Sequence, residues 1–363
     1  MTTLINPRAI PGLAKTVYTG DTLQGVPVIS HLGVGDLAAG QVHRFFFQGV
    51  QMGTGQHWYV PVLVAKGAVK AAASEASAPC VGLVAGIHGD EVSGIDAVQR
   101  VMAQLAPQAM AGSVVAVLGV SRPALEYTRS HWLTAQGGGS LVDMNRVWPG
   151  DETGANAATR HAGLLWNRLL INNIDIVLDY HTVTTGSDFT LFLFADLRQI
   201  LVRQLAELFP VEQIQNDPGL EGTLETALVK AGIPALTLEV GGPRRFDAGK
   251  IALAVEGSLN VLKHCGILDG PLGRTAAEAG TVVGDALETI RATAGGFLEL
   301  LVDLRDRVTP GQPVALQRNA FGDVVAEYRS SVSGEVAVVA RDALCEPGSR
   351  VMQILYSQGV APN

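Results

Sequence analysis

Apolar and polar positions follow three successive rhythms along the chain. Residues 1 to about 65 carry short apolar stretches broken by glycine or proline, such as 26–29, interrupted by Pro27, and 58–65. Such pieces predict strands and turns. From Cys80 the rhythm changes. Residues 80–87 (CVGLVAGI) form an almost continuous apolar run, as a strand buried on both faces does. After Gly89, the residues Val92, Ile95, Val98, Met102 and Leu105 recur every three or four positions, which predicts an amphipathic helix. Further strands are predicted at 113–120, 174–178, 190–194 and 234–240, and a helix within 158–171. Asp247 is placed to cap a helix running to about 262, with Ile251, Val255 and Leu259 on one face. Strands alternating with helices predict an α/β fold with a mixed, largely parallel central sheet flanked by helices.

The third rhythm starts near Gly270. Short alternating pieces at 296–302, 313–316, 324–328, 334–339 and 351–356 are separated by turn residues, which predicts a small all-β C-terminal domain. The expected division is an α/β domain over 1–270, β-rich in its first 65 residues or so, and a β-barrel or sandwich over 271–363. The alanine-rich stretch 68–78 reads as a connection or short helix.

Composition narrows the class. The 363 residues are 47% hydrophobic and 17% charged, which excludes intrinsic disorder. Acidic residues outnumber basic ones, 34 to 26, and no Lys/Arg cluster breaks that balance, so no nucleic-acid partner is expected. No apolar run reaches the roughly 18 residues that span a bilayer, and residues 1–8 lead into no signal-type apolar segment. The three cysteines, Cys80, Cys265 and Cys345, are scattered. These features together predict a cytoplasmic protein without a membrane partner.

Four polar clusters fall at or between the predicted strand ends: His88-Gly89-Asp90-Glu91, Asp143-Met144-Asn145-Arg146 with Trp148-Pro149-Gly150 after it, Asp179-Tyr180-His181-Thr182, and Glu239-Val240-Gly241-Gly242. Open α/β sheets gather their sites beyond the carboxyl ends of the strands. Two histidines and a carboxylate suit zinc, leaving a fourth position for water. His88 and Glu91 are three residues apart and can face one point; His181 completes the set. Glu239 can take a proton from metal-activated water. Arg146 can fork onto a substrate carboxylate, with Asn145 bonding the same end. Asp143 can hold a ligand histidine through its second nitrogen. Each feature alone has a plainer reading: His-x-x-Glu arises by chance, and a strand-end carboxylate serves as ion-pair partner or helix cap. His31, His43, His57, His131, His161 and His264 read as surface or satisfied polar groups, and Cys80 as packing. Gly137-Gly138-Gly139 does not link a strand to a helix, as a phosphate cradle would, and reads as flexible loop.

Taken in order, the four motifs resemble the succinylglutamate desuccinylase/aspartoacylase family, a branch of the zinc metallocarboxypeptidase-like hydrolases. The resemblance covers about residues 80–245, and the all-β tail is similar to that of many members. It implies a zinc-carboxypeptidase-like fold. It implies His88, Glu91 and His181 as ligands of one Zn2+ per subunit, Glu239 as catalytic carboxylate, Asn145 and Arg146 as substrate-carboxylate binders, and Asp143 behind a zinc histidine. Members also carry an arginine shortly before the Asp-x-Asn-Arg motif, which polarises the scissile carbonyl. Ungapped spacing puts Gly138 there. Arg129, across the loop 130–141, is the candidate, with Arg122 behind it.

The expected reaction is zinc-dependent deacylation of a small N-acyl amino acid, an acetyl or succinyl amide. A zinc carboxypeptidase acting on short peptides would use the same residues and is the alternative. A carrier module is the reading from another class, because the tail resembles a biotinyl/lipoyl-type barrel. Such carriers need an acylated lysine, and the last lysine in this chain is Lys263. A symmetric homo-oligomer is expected, as for many enzymes of this size.

Overall fold

The structure is a computed structural model and describes residues 15–69, 79–135 and 138–358; most of the alanine-rich stretch and Gly137 lie outside them. The N-terminal part supplies β1 (Val17–Leu23), β2 (Val26–His31), β3 (Gln41–Gln51) and β4 (His57–Lys66). The α/β pattern follows with β5 (Cys80–Ala85), α1 (Val92–Ala103), β6 (Ser113–Leu118) and α2 (Arg122–Glu126). A two-stranded ribbon, β7 (Trp132–Leu133) with β8 (Leu141–Val142), leads to α3 (Ala157–Leu165), β9 (Ile176–His181), β10 (Ser187–Phe189), β11 (Leu191–Ala195) and α4 (Ile200–Ala206). Then come β12 (Gln213–Asn216), α5 (Leu224–Lys230), β13 (Ala235–Val240), α6 (Ala248–His264), α7 (Ala276–Ala279) and β14 (Val282–Gly284).

These strands build one mixed sheet in the order β1-β2-β3-β4-β6-β5-β9-β13-β11-β12-β14. At its centre β6, β5, β9 and β13 run parallel; β4 and β11 flank them antiparallel. The period of two along each strand explains its burial. Val81, Leu83, Ala85, Ile176, Leu178 and Tyr180 join a core with α1 and α6 on one face. Val84 and Val177 join a core with α3 and α5 on the other. Both faces are covered, so these strands read as unbroken apolar runs. α6 begins where Asp247 accepts the backbone N–H of Lys250 at 3.2 Å, the predicted cap.

Beyond β14 the regular elements of the described residues are all strands: β15 (Ala286–Arg291), β16 (Gly296–Leu300), β17 (Arg307–Val308), β18 (Pro313–Arg318), β19 (Val324–Arg329), β20 (Gly334–Ala340), β21 (Leu344–Cys345) and β22 (Arg350–Tyr356). One sheet runs β19-β18-β16-β21; the other runs β10-β20-β22-β15, with β17 also on β20. Strand β10 thus departs from the α/β part to pair with β20. Phe189 and Phe192 pack there against Val338 and Leu355. That contact fixes the β tail beside the loop that follows His181.

His161 shows how a core histidine is satisfied. It is fully buried, its Nδ1 accepts the Val50 N–H at 3.2 Å and its Nε2 donates to the Val120 carbonyl at 3.0 Å. Only the neutral ring with its proton on Nε2 meets both partners. Burial lowers its pKa to about 4, against the partial opposition of the Val120 bond. The unfolded chain takes up this proton near pH 6.5 and the folded one only near 4. Stability from His161 is therefore whole above the unfolded value and falls as pH drops from 6.5 to 4, by about 3 kcal/mol. Urea unfolding at pH 4.5 and 7 should show that loss in the wild type and a smaller one in His161→Gln. Equal pH dependence in the two proteins would refute it.

Candidate metal and catalytic site

The polar clusters converge beyond the carboxyl ends of β5, β9 and β13. His181 ends β9, and Glu239 is its register partner on parallel β13. Register partners point to the same face of a sheet. Glu91 stands at the N-cap of α1, where a negative charge is favoured by the helix dipole. Two glycines set the close approach. A Cβ on Gly94 would lie 2.6 Å from the Tyr180 Cβ, so Gly94 lets α1 settle onto β9 and brings Glu91 to His181. A Cβ on Gly89 would lie 2.0 Å from the Ala124 carbonyl carbon, so the His88 loop sits directly on α2.

The donors are tightly grouped. One ligand atom from each of His88, Glu91 and His181 lies within 4.8 Å of the others. Glu91 spans the two rings, with Oε1 on His88 Nδ1 and Oε2 on His181 Nδ1, each at 2.8 Å. It also accepts the Thr182 N–H at 3.1 Å. Behind the rings, His88 Nε2 meets Asp143 Oδ1 at 2.9 Å and His181 Nε2 meets Asp179 Oδ2 at 3.0 Å. Each imidazole therefore turns Nδ1 to the common centre and is oriented by a carboxylate at Nε2, as in metal-ligating histidines. This donor set fits a divalent metal of the zinc type.

Electrostatics follow from the grouping. Burial alone would lower the His88 pKa, but the Glu91 charge and the Asp143 and Glu91 bonds outweigh it and raise it to about 10. Glu91 would rise on burial, yet the charges of His88 and His181 bring it down to about 2. Burial, and then the Glu91 charge, push Glu239 up to about 7. Its Oε2 is buried and has no hydrogen-bond partner. A carboxyl group with a pKa near neutrality and a free oxygen is suited to proton transfer.

The other predicted residues surround this centre. Asp143 Oδ1 accepts the Asn145 N–H at 2.8 Å as well as meeting His88. Asn145 is buried and its Oδ1 accepts the Leu224 N–H at 2.9 Å, fixing the amide. Arg146 is half exposed, donates to the Asn145 carbonyl at 2.7 Å and lies 3.9 Å from Asp143. Arg129 is exposed, and its backbone carbonyl accepts the Gly89 N–H at 2.9 Å, which places its chain segment against the His88 loop. Arg122 is engaged with Glu126 at 3.3 Å. Gly138 has a positive φ of 81° and open space around it.

Some neighbours carried no predicted role. Asp179 is buried behind His181; its signal was its place two residues earlier on the same strand face. His131 lies 3.6 Å from Asp143. Thr185 donates to Asp90 at 2.6 Å, tying the loop after His181 to the loop before α1. Arg350, on β22, is far along the sequence from every motif and had no signal at all.

This centre sits on a mixed sheet with helices on both faces, the arrangement of an α/β hydrolase with a candidate metal site. The comparisons with known proteins agree. The model of the succinylglutamate desuccinylase/aspartoacylase catalytic domain matches residues 77–265, just over half of the chain, and the protein belongs to that family. The N-alpha-acetyl-L-2,4-diaminobutyric acid deacetylase of Halomonas elongata is 28% identical over 269 residues, covering 71% of this chain and 77% of that one. Among solved structures, the product-bound ectoine utilization protein EutE (DoeB) from Ruegeria pomeroyi superposes with a TM-score of 0.75 at 21% identity, over 88% of this chain and 96% of that one. The succinylglutamate desuccinylase/aspartoacylase from Rhodobacter sphaeroides gives 0.73 at 23%, over 90% and 97%. The fold is shared with both. Among the described residues no helix is long and apolar enough to cross a membrane.

Proposed function

We propose that the protein is a zinc-dependent amidohydrolase that removes the acyl group of a small N-acyl amino acid. The observation that carries this reading is the unpartnered Glu239 carboxyl beside two carboxylate-backed histidines bridged by Glu91. The deacetylase relative supports the reaction class. His88, Glu91 and His181 would hold the metal. When bound, zinc supplies a Lewis acid for the acyl carbonyl and lowers the pKa of water toward about 7. Glu239 takes the proton of the attacking water and returns it to the leaving amine, a role its raised pKa suits. Asp143 and Asp179 keep the two rings in one tautomer and orientation. Arg146 and Asn145 anchor the carboxylate of the amino acid, so part of the rate comes from positioning. Arg129 is assigned to the acyl oxygen through its place beside Gly89.

The test is amine release from N-acetyl and N-succinyl amino acids, the diaminobutyrate compound included, each compared with its uncharged α-carboxamide. Free acids should be cut and the carboxamides cut at least about 100-fold more slowly. Release of C-terminal residues from short peptides, with neither series cut, would give the carboxypeptidase reading instead.

A further inference from the structure

A cleft of about 410 Å³ lies between the loop that follows His181 and the C-terminal β sheets. Its wall is made of hydroxyls and amides, including Thr184, Ser187, Thr289, Ser349 and Gln353, around Arg350. Arg350 comes from the first position of β22, yet it reaches back to the catalytic part. Its guanidinium donates to Thr184 Oγ1 and Ser187 Oγ at 3.3 Å each, and to Gln353 Oε1 at 3.2 Å. All three partners are neutral. Among the described residues no carboxylate lies within ion-pair distance of Arg350, although Asp342 lines the same cleft. Its Nε is buried with no partner at all.

A guanidinium in this state is incomplete. Burial works against its charge, the Glu239 carboxylate favours it, and the Arg291 guanidinium works against it again. Leaving a half-buried cation without an anion is costly, and a carboxylate accepting its fork of N–H groups would remove that cost. Thr184 and Ser187, to which Arg350 donates, belong to the segment that follows His181, so the cation stands beside the catalytic part. The hydroxyls around it hold its plane without neutralising it, as a recognition site requires and a structural ion pair does not.

We propose that Arg350 is a specificity-determining contact that forks onto a second carboxylate of the substrate, distinct from the one assigned to Arg146. The inference rests on the deacylase reading for its substrate class. That carboxylate belongs either to the acyl group, as in a succinyl amide, or to an acidic side chain. A substrate with a cationic side chain in this cleft would face two arginines.

The experiment uses full-length, zinc-loaded wild type, Arg350→Gln and Arg350→Lys. The substrates are N-acetyl-alanine, N-acetyl-aspartate, N-acetyl-glutamate, N-succinyl-alanine and the N-acetyl diaminobutyrate compound. The wild type should prefer one dicarboxylate class, and which class names the source of the group. On it, Arg350→Gln should lose about 30-fold or more in kcat/KM, chiefly in KM, with under threefold loss on N-acetyl-alanine. Arg350→Lys, which keeps charge but not the fork, should fall between. An equal loss on every substrate, no loss, or a wild-type preference for the diaminobutyrate compound that Arg350→Gln leaves intact would overturn the assignment. Calorimetric titration with succinate decides it apart from turnover: tenfold weaker binding to Arg350→Gln supports it and equal binding overturns it. If the wild type cuts none of the panel, the deacylase reading fails, while the succinate result still judges Arg350. Should the glutamine variant not fold, the lysine variant carries both measurements.

Discussion

Glu239→Gln is expected to keep its metal and lose about 10²–10⁴-fold in kcat. The substitution keeps shape and hydrogen-bonding size but removes the group that can accept a proton. His88 and His181 each have both ring nitrogens engaged, and Asp143 Oδ1 and Asp179 Oδ2 are bonded to the far sides of those rings. Stability should hold or rise slightly. A carboxyl that burial and the Glu91 charge push to about 7 is an unfavourable charge in the fold, and the neutral amide relieves it. The checks are kcat on the best substrate, zinc content by elemental analysis and a thermal melt. A variant with zinc bound and kcat within threefold of wild type would remove Glu239 from the reaction.

His181→Ala is expected to bind no zinc and to show no turnover above background. His181 ends a buried strand, and its place cannot be taken by water with the same geometry, since Glu91 and Asp179 hold the ring from its two nitrogens. A metal that binds only the folded state at 100 times its dissociation constant adds about 2.7 kcal/mol. Zinc should therefore raise the melting temperature of the wild type and leave that of His181→Ala unmoved. Asp179→Asn should give an intermediate result, with metal affinity reduced about 10–100-fold through the freed ring. Stoichiometric zinc in purified His181→Ala would exclude the three-residue centre.

The fold was legible where one periodicity dominated. The run 80–87 became β5 (Cys80–Ala85), and the three- and four-residue spacing after Gly89 became α1 (Val92–Ala103). Asp247 caps α6 as its residue type implies. Legibility failed for β3 (Gln41–Gln51), where three adjacent phenylalanines obscure the alternation: Phe45 and Phe47 are buried while Phe46 is only partly so. It failed also for α4 (Ile200–Ala206) and α5 (Leu224–Lys230), each only two turns long, too short for a period to stand out. The helix predicted within 158–171 is present as α3 but continues as a π-helical turn over Trp166–Leu170, a local winding that no residue spacing encodes.

The sequence alone determined the donor types and their order: a histidine and a glutamate three residues apart, an aspartate before an asparagine and arginine, a histidine and a glutamate at the ends of buried strands. Those are local properties, because a strand end and a helix start place their side chains by backbone geometry. It also determined that both faces of the central strands must be covered, since they contain no polar alternation. Only the tertiary structure decided which groups meet across the chain. Asp179 backs His181 because both stand on one face of β9. Glu239 neighbours His181 because β13 pairs with β9 in that register and no other. Arg350, 169 positions after His181 in number, enters the same neighbourhood because β10 leaves the large sheet to pair with β20 and carries the β tail with it. Contacts of that kind depend on strand pairing and chain crossing, which are set by the packing of the whole molecule and leave no mark in the spacing of any one segment.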